Sequence, residues 1–242
     1  MSFSLRLRSR PRRTQPKEVV GFGGFGRPAF AVVCSDGVID YANNNVGAFT
    51  AAAKLSVISG AEKGLLFPSG SCYGALPTRP QYNILGPLTL VWVGVIDTLA
   101  QYQFLIARAL GNGAVNNPFE FRVNSGGGMT LTRANASNYS AWTTAQSPPI
   151  GAPVVLVATH GDSIGNSIGA SLWINGVSQS VTPTYNTTGP ATGNSEPLLL
   201  GTRSDTFTYM RGACMAAIGF SRILSNAEIK AISANPWSVF AP

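Results

Sequence analysis

Charge is scarce in this chain: Asp, Glu, Lys and Arg make up 11% of its 242 residues, well under the ~25% typical of soluble domains. Histidine is nearly missing, and a single imidazole, His160, excludes any metal centre or relay that needs two. Cysteine is confined to Cys34, Cys72 and Cys214. Three thiols cannot all pair and none has metal-ligand spacing to another, so the pattern predicts neither a disulfide framework nor a zinc cluster, and a reducing compartment suits it. No long hydrophobic run is present. Pro87 to Ile96, the longest uncharged apolar stretch, falls far short of the ~20 residues of a membrane helix, and no signal-peptide core follows the basic N-terminus. The expectation is a soluble chain without a secretory signal.

Apolar residues, by contrast, make up 45% and aromatics 10%, which is enough for a sizeable core in one domain of this length. The 27 glycines and 16 prolines punctuate short apolar runs, which argues for many turns and few helices. Strand-like runs are Ala29–Val33, Leu55–Ile58, Leu88–Ile96, Tyr102–Ala109, Phe119–Val123, Met129–Arg133, Pro153–Thr159, Ala170–Ile174, Val177–Val181, Pro197–Leu200 and Gly212–Phe220. Leu88–Ile96 is apolar on both faces and should be central. Phe119, Phe121 and Val123 alternate with Glu120, Arg122 and Asn124, as in a strand with one wet face. Asn175-Gly176 predicts a type I′ hairpin. One helix is predicted at Ser225–Ala234, where Ser225 and Glu228 can form a capping box and Asn235-Pro236 stops the run. The expected fold is all-β: a two-sheet antiparallel jelly-roll sandwich with one short C-terminal helix.

The positive charge is concentrated at one end. Arg6, Arg8, Arg10, Arg12, Arg13 and Lys17 fall within residues 1 to 17, without an acid, while the rest of the chain is nearly neutral. Such a block can be a solvated tail. Phe3, Leu5 and Leu7, however, alternate with Ser4, Arg6 and Arg8, a period of two that suits an extended arm pairing with a neighbouring chain. A transit peptide shares the composition but should favour an amphipathic helix. Residues 1–28 thus read as a basic extended arm ending in the Gly-rich hinge GFGGFGRP, and residues 29–242 as the sandwich.

The order PLTLVWVGVI, PVVLVATHGD, ASLWINGVSQ, EPLLLGTR, ACMAAIGFSR and ILSNAEIKAI resembles the laminin-G-like, concanavalin-A-like jelly-roll family over roughly Ala29–Asn235. The LWINGV hairpin and the AIGFSRILSNAEI segment carry the resemblance. Neither is catalytic, so the resemblance speaks to fold more than to function. The ending NPWSVFAP and the basic arm are similar to those of bacteriophage members of the family, which implies a virion-associated protein.

Motifs of catalytic appearance fail on context. Gly21, Gly23 and Gly26 satisfy GxGxxG, but Pro28 and a strand follow where a helix is required. Gly161-Asp162-Ser163-Ile164-Gly165 satisfies GxSxG, yet the single histidine precedes Ser163 and another strand follows. His160 reads as a strand-end histidine bonded to backbone. Some relatives of this fold cleave polysaccharides with clustered carboxylates; here only Asp36 and Asp40 lie close in sequence, and they more simply shape a turn. No catalytic residue is expected, and the chain reads as a non-enzyme. Sugar binding stays open through ring stacking by Tyr139, Trp142, Phe207 and Tyr209 in loop-like stretches. No cofactor is expected beyond a weak calcium candidate at Asp162 and Asn166.

These features lead to the expectation of a phage virion structural protein, a decoration, cement or fibre-type component. Its arm (Phe3, Leu5, Arg6, Leu7, Arg8, Arg10, Arg12, Arg13) would bind other virion proteins or further copies of the chain in a homo-oligomer. A glycan-binding receptor module of a head or tail fibre is the alternative, with a bacterial surface glycan as partner. An icosahedral coat protein whose arm meets nucleic acid is third. No membrane partner is expected.

Overall fold

The computed structural model describes residues 22, 24–50, 52–59, 62–68, 71–110, 116–161, 169–185, 189–205 and 208–240. Among them the first strands are β1 (Phe30–Val33), β2 (Ile39–Asp40), β3 (Asn45–Val46), β4 (Ala48–Phe49), β5 (Lys54–Ser59), β6 (Glu62–Phe67) and β7 (Gly74–Leu76). A 3-10 turn, Pro80–Tyr82, leads to β8 (Leu88–Ile96), β9 (Gln103–Arg108), β10 (Phe119–Val123), β11 (Met129–Ala134), β12 (Tyr139–Thr144) and β13 (Pro153–His160). Then come β14 (Ser171–Ile174), β15 (Val177–Gln179), β16 (Val181–Tyr185), β17 (Leu198–Leu200), β18 (Gly212–Phe220), helix α1 (Asn226–Ala234) and a second 3-10 turn, Pro236–Phe240.

Two antiparallel sheets result. The ten-stranded sheet runs β15-β14-β13-β8-β18-β1-β2-β3, with β6 also on β18 and β5 outside β6. The eight-stranded sheet runs β16-β12-β11-β10-β9-β17-β7-β4. β8 and β18 are buried along all nine of their residues, as expected of strands apolar on both faces. Trp92, Leu90 and Leu156 point into the core between the sheets with Phe119, Phe121 and Leu131. Val91, Val93, Val155 and Ile218 point the other way, under Ile229 and Ile232 of α1 and Trp237 and Val239 of the final turn. Gly94 of β8 allows close approach here: a Cβ at this position would sit 2.0 Å from the Ala213 carbonyl oxygen and 2.5 Å from the Trp92 ring.

The turn and cap chemistry matches the sequence reading. Asn175 and Gly176 have φ of 49° and 77° and join Ile174 to Val177. Ser225 caps α1, accepting from the Glu228 amide while the Glu228 carboxylate accepts from the Ser225 amide. Phe22 and Phe25 of the Gly-rich segment pack on the cluster that includes α1. No described helix is long and apolar enough to cross a membrane.

The short strands β2, β3, β4 and β7 lie outside the expected runs, and three longer segments also differ from expectation. Val177–Val181 is not one strand: β15 pairs with β14 in the ten-stranded sheet and β16 with β12 in the other, so the chain crosses between sheets at Ser180. Glu62–Phe67 forms β6 although Lys63 and Gly64 interrupt its apolar pattern, because Phe67, Leu66 and Leu65 find partners on β18. Tyr139–Thr144 is a strand rather than a loop: Tyr139, Trp142, Thr143 and Thr144 are β-favouring residues, and the segment finds partners on both sides in β11 and β16.

This last difference places Trp142 in the core, fully buried and opposite Leu131, where it serves packing and presents no ring to a surface ligand. Trp142→Ala should therefore lower unfolding free energy by about 3–5 kcal/mol, measurable by urea denaturation. A loss within experimental error would contradict the packing described.

Candidate functional site

β10 follows its own alternation: Phe119, Phe121 and Val123 enter the core, which turns Glu120 and Arg122 to the outer face of the eight-stranded sheet. Register then fixes their neighbours. Thr132 stands opposite Glu120 and Thr130 opposite Arg122, Thr143 opposite Thr130, and Phe104 of β9 opposite Arg122 on the other side. The segment after β17 brings Arg203 onto the same face, its guanidinium carbon 4.9 Å from the Phe104 ring centroid.

These side chains form one polar chain from the segment after β17 across β10, β11 and β12. Arg203 Nε donates to Asp205 Oδ1 at 2.6 Å, and its NH1 lies 3.5 Å from Glu120 Oε2. Glu120 is also ion-paired with Arg122. Arg122 Nε donates to Asn124 Oδ1 at 3.0 Å, Asn124 Nδ2 to Thr130 Oγ1 at 2.9 Å, and Thr130 and Thr143 share a hydrogen bond of 2.9 Å. Burial is graded along it: Glu120 and Thr130 are buried, whereas Arg122, Asn124 and Thr143 are half-buried. Thr132 Oγ1 is buried on this face without a hydrogen-bond partner among the described residues. Aromatic rings flank the chain. Tyr102 is exposed beneath the Arg122 guanidinium, 5.5 Å from its centroid; half-buried Tyr73 and Tyr209 stack at 6.3 Å; Tyr139 is half-buried on β12.

Of the stacking candidates, then, Tyr139 and Tyr209 are partly accessible, Trp142 is in the core, and Phe207 lies outside the described residues. So do the calcium candidates Asp162 and Asn166 and the arm residues Phe3, Leu5, Arg6, Leu7, Arg8, Arg10, Arg12 and Arg13. Asp40 is structural: its carboxylate accepts from the amides of Ala31 and Ala42 at 2.8 and 3.0 Å, from Asn43 Nδ2 at 2.7 Å and from the Tyr82 hydroxyl at 2.8 Å. Asp36 accepts from the Ser35 hydroxyl. Cys34 and Cys214 are buried thiols with sulfurs 3.9 Å apart. Sequence reasoning missed Arg203, Asp205 and Tyr102. Alternation marked Glu120 and Arg122 as wet, but their partners are brought in by folding, from about 80 residues along the chain.

Residues 83–230 match the model of the concanavalin A-like lectin/glucanases superfamily. The chain belongs to this superfamily. No curated protein matches it in sequence. Several solved structures share its concanavalin A-like fold. A Trypanosoma rangeli sialidase in complex with the inhibitor DANA aligns at TM-score 0.61 and 15% identity, covering 85% of this chain and 32% of the sialidase. The binding domain of Paraclostridial Mosquitocidal Protein 1 aligns at 0.60 and 13%, covering 86% and 52%, and the botulinum neurotoxin serotype D binding domain at 0.59 and 11%, covering 86% and 50%. The chain thus spans from 32% to 52% of the length of these structures, and at such identities the likeness is one of fold. Sialidases among the matches correct one expectation. A concanavalin A-like body is found within enzymes as well as binding domains, so the reading of the chain as a non-enzyme does not stand. Its premise was also too narrow: Glu120 and Asp205, far apart in sequence, converge on one guanidinium.

His160 ends β13 fully buried, its ring 4.2 Å from that of Trp142 and its Nδ1 3.2 Å from Arg133 NH1. Its partner is thus a side chain as well as backbone. Burial first, and then the Arg133 charge, lower its pKa from 6.5 to about 4, against a smaller raising effect of the Gly161 backbone. Above pH 6.5 the imidazole is neutral both folded and unfolded. Below that the unfolded chain takes up a proton that the folded one refuses, and stability falls until the folded pKa is passed. The protein should be about 2 kcal/mol less stable at pH 5 than at pH 7, measured by denaturant titration, and His160→Gln should flatten that limb. Equal pH dependence in both proteins would contradict this role.

Proposed function

We propose that this chain is a glycan-recognition module that reads saccharides on the outer face of its eight-stranded sheet. The observation that carries this reading is the polar chain from Arg203 to Thr143, flanked by accessible tyrosines. Sugars present hydroxyls on their rims and apolar C–H faces, and are held by fixed hydrogen-bonding groups beside aromatic rings. Arg122 is held by Asn124, and Asn124 and Thr143 by Thr130, so little side-chain freedom remains to be lost on binding. The superfamily and the binding domains that share its fold support the reading.

A second reading concerns where the body works, and the arm carries it. Six cations and the Phe3, Leu5, Leu7 alternation in residues 1–17 suit strand addition to a neighbouring subunit. This supports a phage virion protein of the decoration or fibre type, with the virion as its location and other virion proteins or its own copies as partners. In a nucleic-acid-binding coat protein the same arm would give attachment a steep salt dependence.

A glycan array should identify a bound saccharide, and Tyr102→Ala or Tyr139→Ala should weaken that binding about fivefold each, as expected for ~1 kcal/mol per stacked ring. An array without binding, or affinities unchanged in both variants, would contradict the site. Deleting residues 1–20 should leave the body folded but unable to join its assembly; incorporation at full occupancy would contradict the arm's role.

A further inference from the structure

A hollow of about 550 Å3 opens where the Gly-rich segment meets β1, the Pro80–Tyr82 turn and the loop before β8. Two buried arginines that do not themselves line it hold its wall from behind. Arg133 reaches across from β11 and donates to the carbonyls of Ile84 and Leu85 at 2.8 Å each and of Gly86 at 2.9 Å. Arg108 donates through Nε to Asn83 Oδ1 at 2.9 Å and through NH2 to the Asn194 carbonyl at 2.7 Å. The loop is thereby held as a fixed surface.

Arg133 also decides what that surface presents. A trans peptide carries its N–H opposite its C=O, so drawing the Ile84 and Leu85 carbonyls inward turns the amides of Leu85 and Gly86 away from Arg133. Both residues line the hollow, and neither amide meets a backbone acceptor among the described residues. Successive amides aimed to one side form an anion-binding concavity. The side chains agree with this polarity. Exposed Arg27 uses one nitrogen on the Ala42 carbonyl at 2.6 Å and keeps other donors. Gln81 and Ser221 are exposed at the rim, and no Asp or Glu is among the lining residues. Pro28, Leu85 and Pro87 supply apolar wall. The volume lies in the small-molecule range of about 300–1,000 Å3, more than a bare inorganic anion fills.

We propose that this hollow is a second binding site, for a carboxylate-bearing saccharide residue. The carboxylate sits on the Leu85 and Gly86 amides with Arg27 beside it, and the ring lies against Leu85 and Pro87. The site is independent of the eight-stranded sheet's outer face, and its test reads different residues.

The full 15N-labelled chain is titrated with sodium D-glucuronate, with D-glucose and inorganic phosphate as separate arms. Glucuronate should shift the Leu85 and Gly86 amides saturably, with glucose and phosphate much weaker. Gln81→Glu, at an exposed position, places a like charge at the rim and should weaken binding about tenfold or more. Arg27→Ala should lose about tenfold and Arg27→Lys less. Absence of saturable shifts at these amides overturns the proposal. So does a response to glucose or phosphate equal to that to glucuronate, or binding by Gln81→Glu equal to that of the parent chain. Shifts confined to Arg122, Thr130 and Thr143 would likewise refute this site while reporting on the other.

Discussion

β8 and β18 are buried on both faces along their full length, and their pairing, eight residues in register apart from one irregularity near Cys214, is the constraint on which the remaining architecture depends. A strand pair apolar on both sides cannot leave either side wet. One face takes the eight-stranded sheet; the other takes α1 and the Pro236–Phe240 turn, whose Ile229, Ile232 and Trp237 complete the second apolar cluster. The capping box at Ser225 has its importance here, since it fixes where the covering helix begins.

This cladding makes the two sheets unequal. The ten-stranded sheet spends both faces of its central strands, β8 and β18, on packing. The eight-stranded sheet spends one, and its strands alternate accordingly, with Phe119, Phe121 and Leu131 inward and Glu120, Arg122, Thr130 and Thr132 outward. The outer face is where charged and hydroxyl side chains accumulate in a chain that has few charges. The same economy shows in the buried arginines. Arg133 and Arg108 are desolvated and hydrogen-bonded largely to carbonyls and amides, an arrangement that fixes loops lacking regular structure of their own. Burial accordingly lowers the Arg108 pKa, with Tyr82 and Glu196 acting against it.

Local sequence carried the elements whose signals are local. Leu88–Ile96 is uncharged and apolar but for Thr89, Asn175-Gly176 tolerates the positive φ of a type I′ turn, and Ser225 with Glu228 closes its own helix end; each was legible from a few consecutive residues. Long-range pairing was not. β6 is held by β18 about 150 residues away, and β12 reads as loop because its serine and threonines carry no apolar period. Trp142 was misplaced for the same reason: among polar neighbours it looks like a surface ring, and only the register with Leu131 turns it inward. At the site, alternation told that Glu120 and Arg122 face away from the core. That Arg203 and Asp205 join them depends on the path of the chain after β17, on which no pattern in the sequence bears.

In the proposed function, recognition belongs to the outer face of the eight-stranded sheet and not to the clad sheet opposite. The most direct measurement is amide shift mapping of the labelled chain with the saccharide that binds best on an array. Shifts clustered at Tyr102, Arg122, Asn124, Thr130 and Thr143 are the result expected. Shifts clustered on α1 and the Pro236–Phe240 turn, with β10 to β12 unmoved, would contradict it.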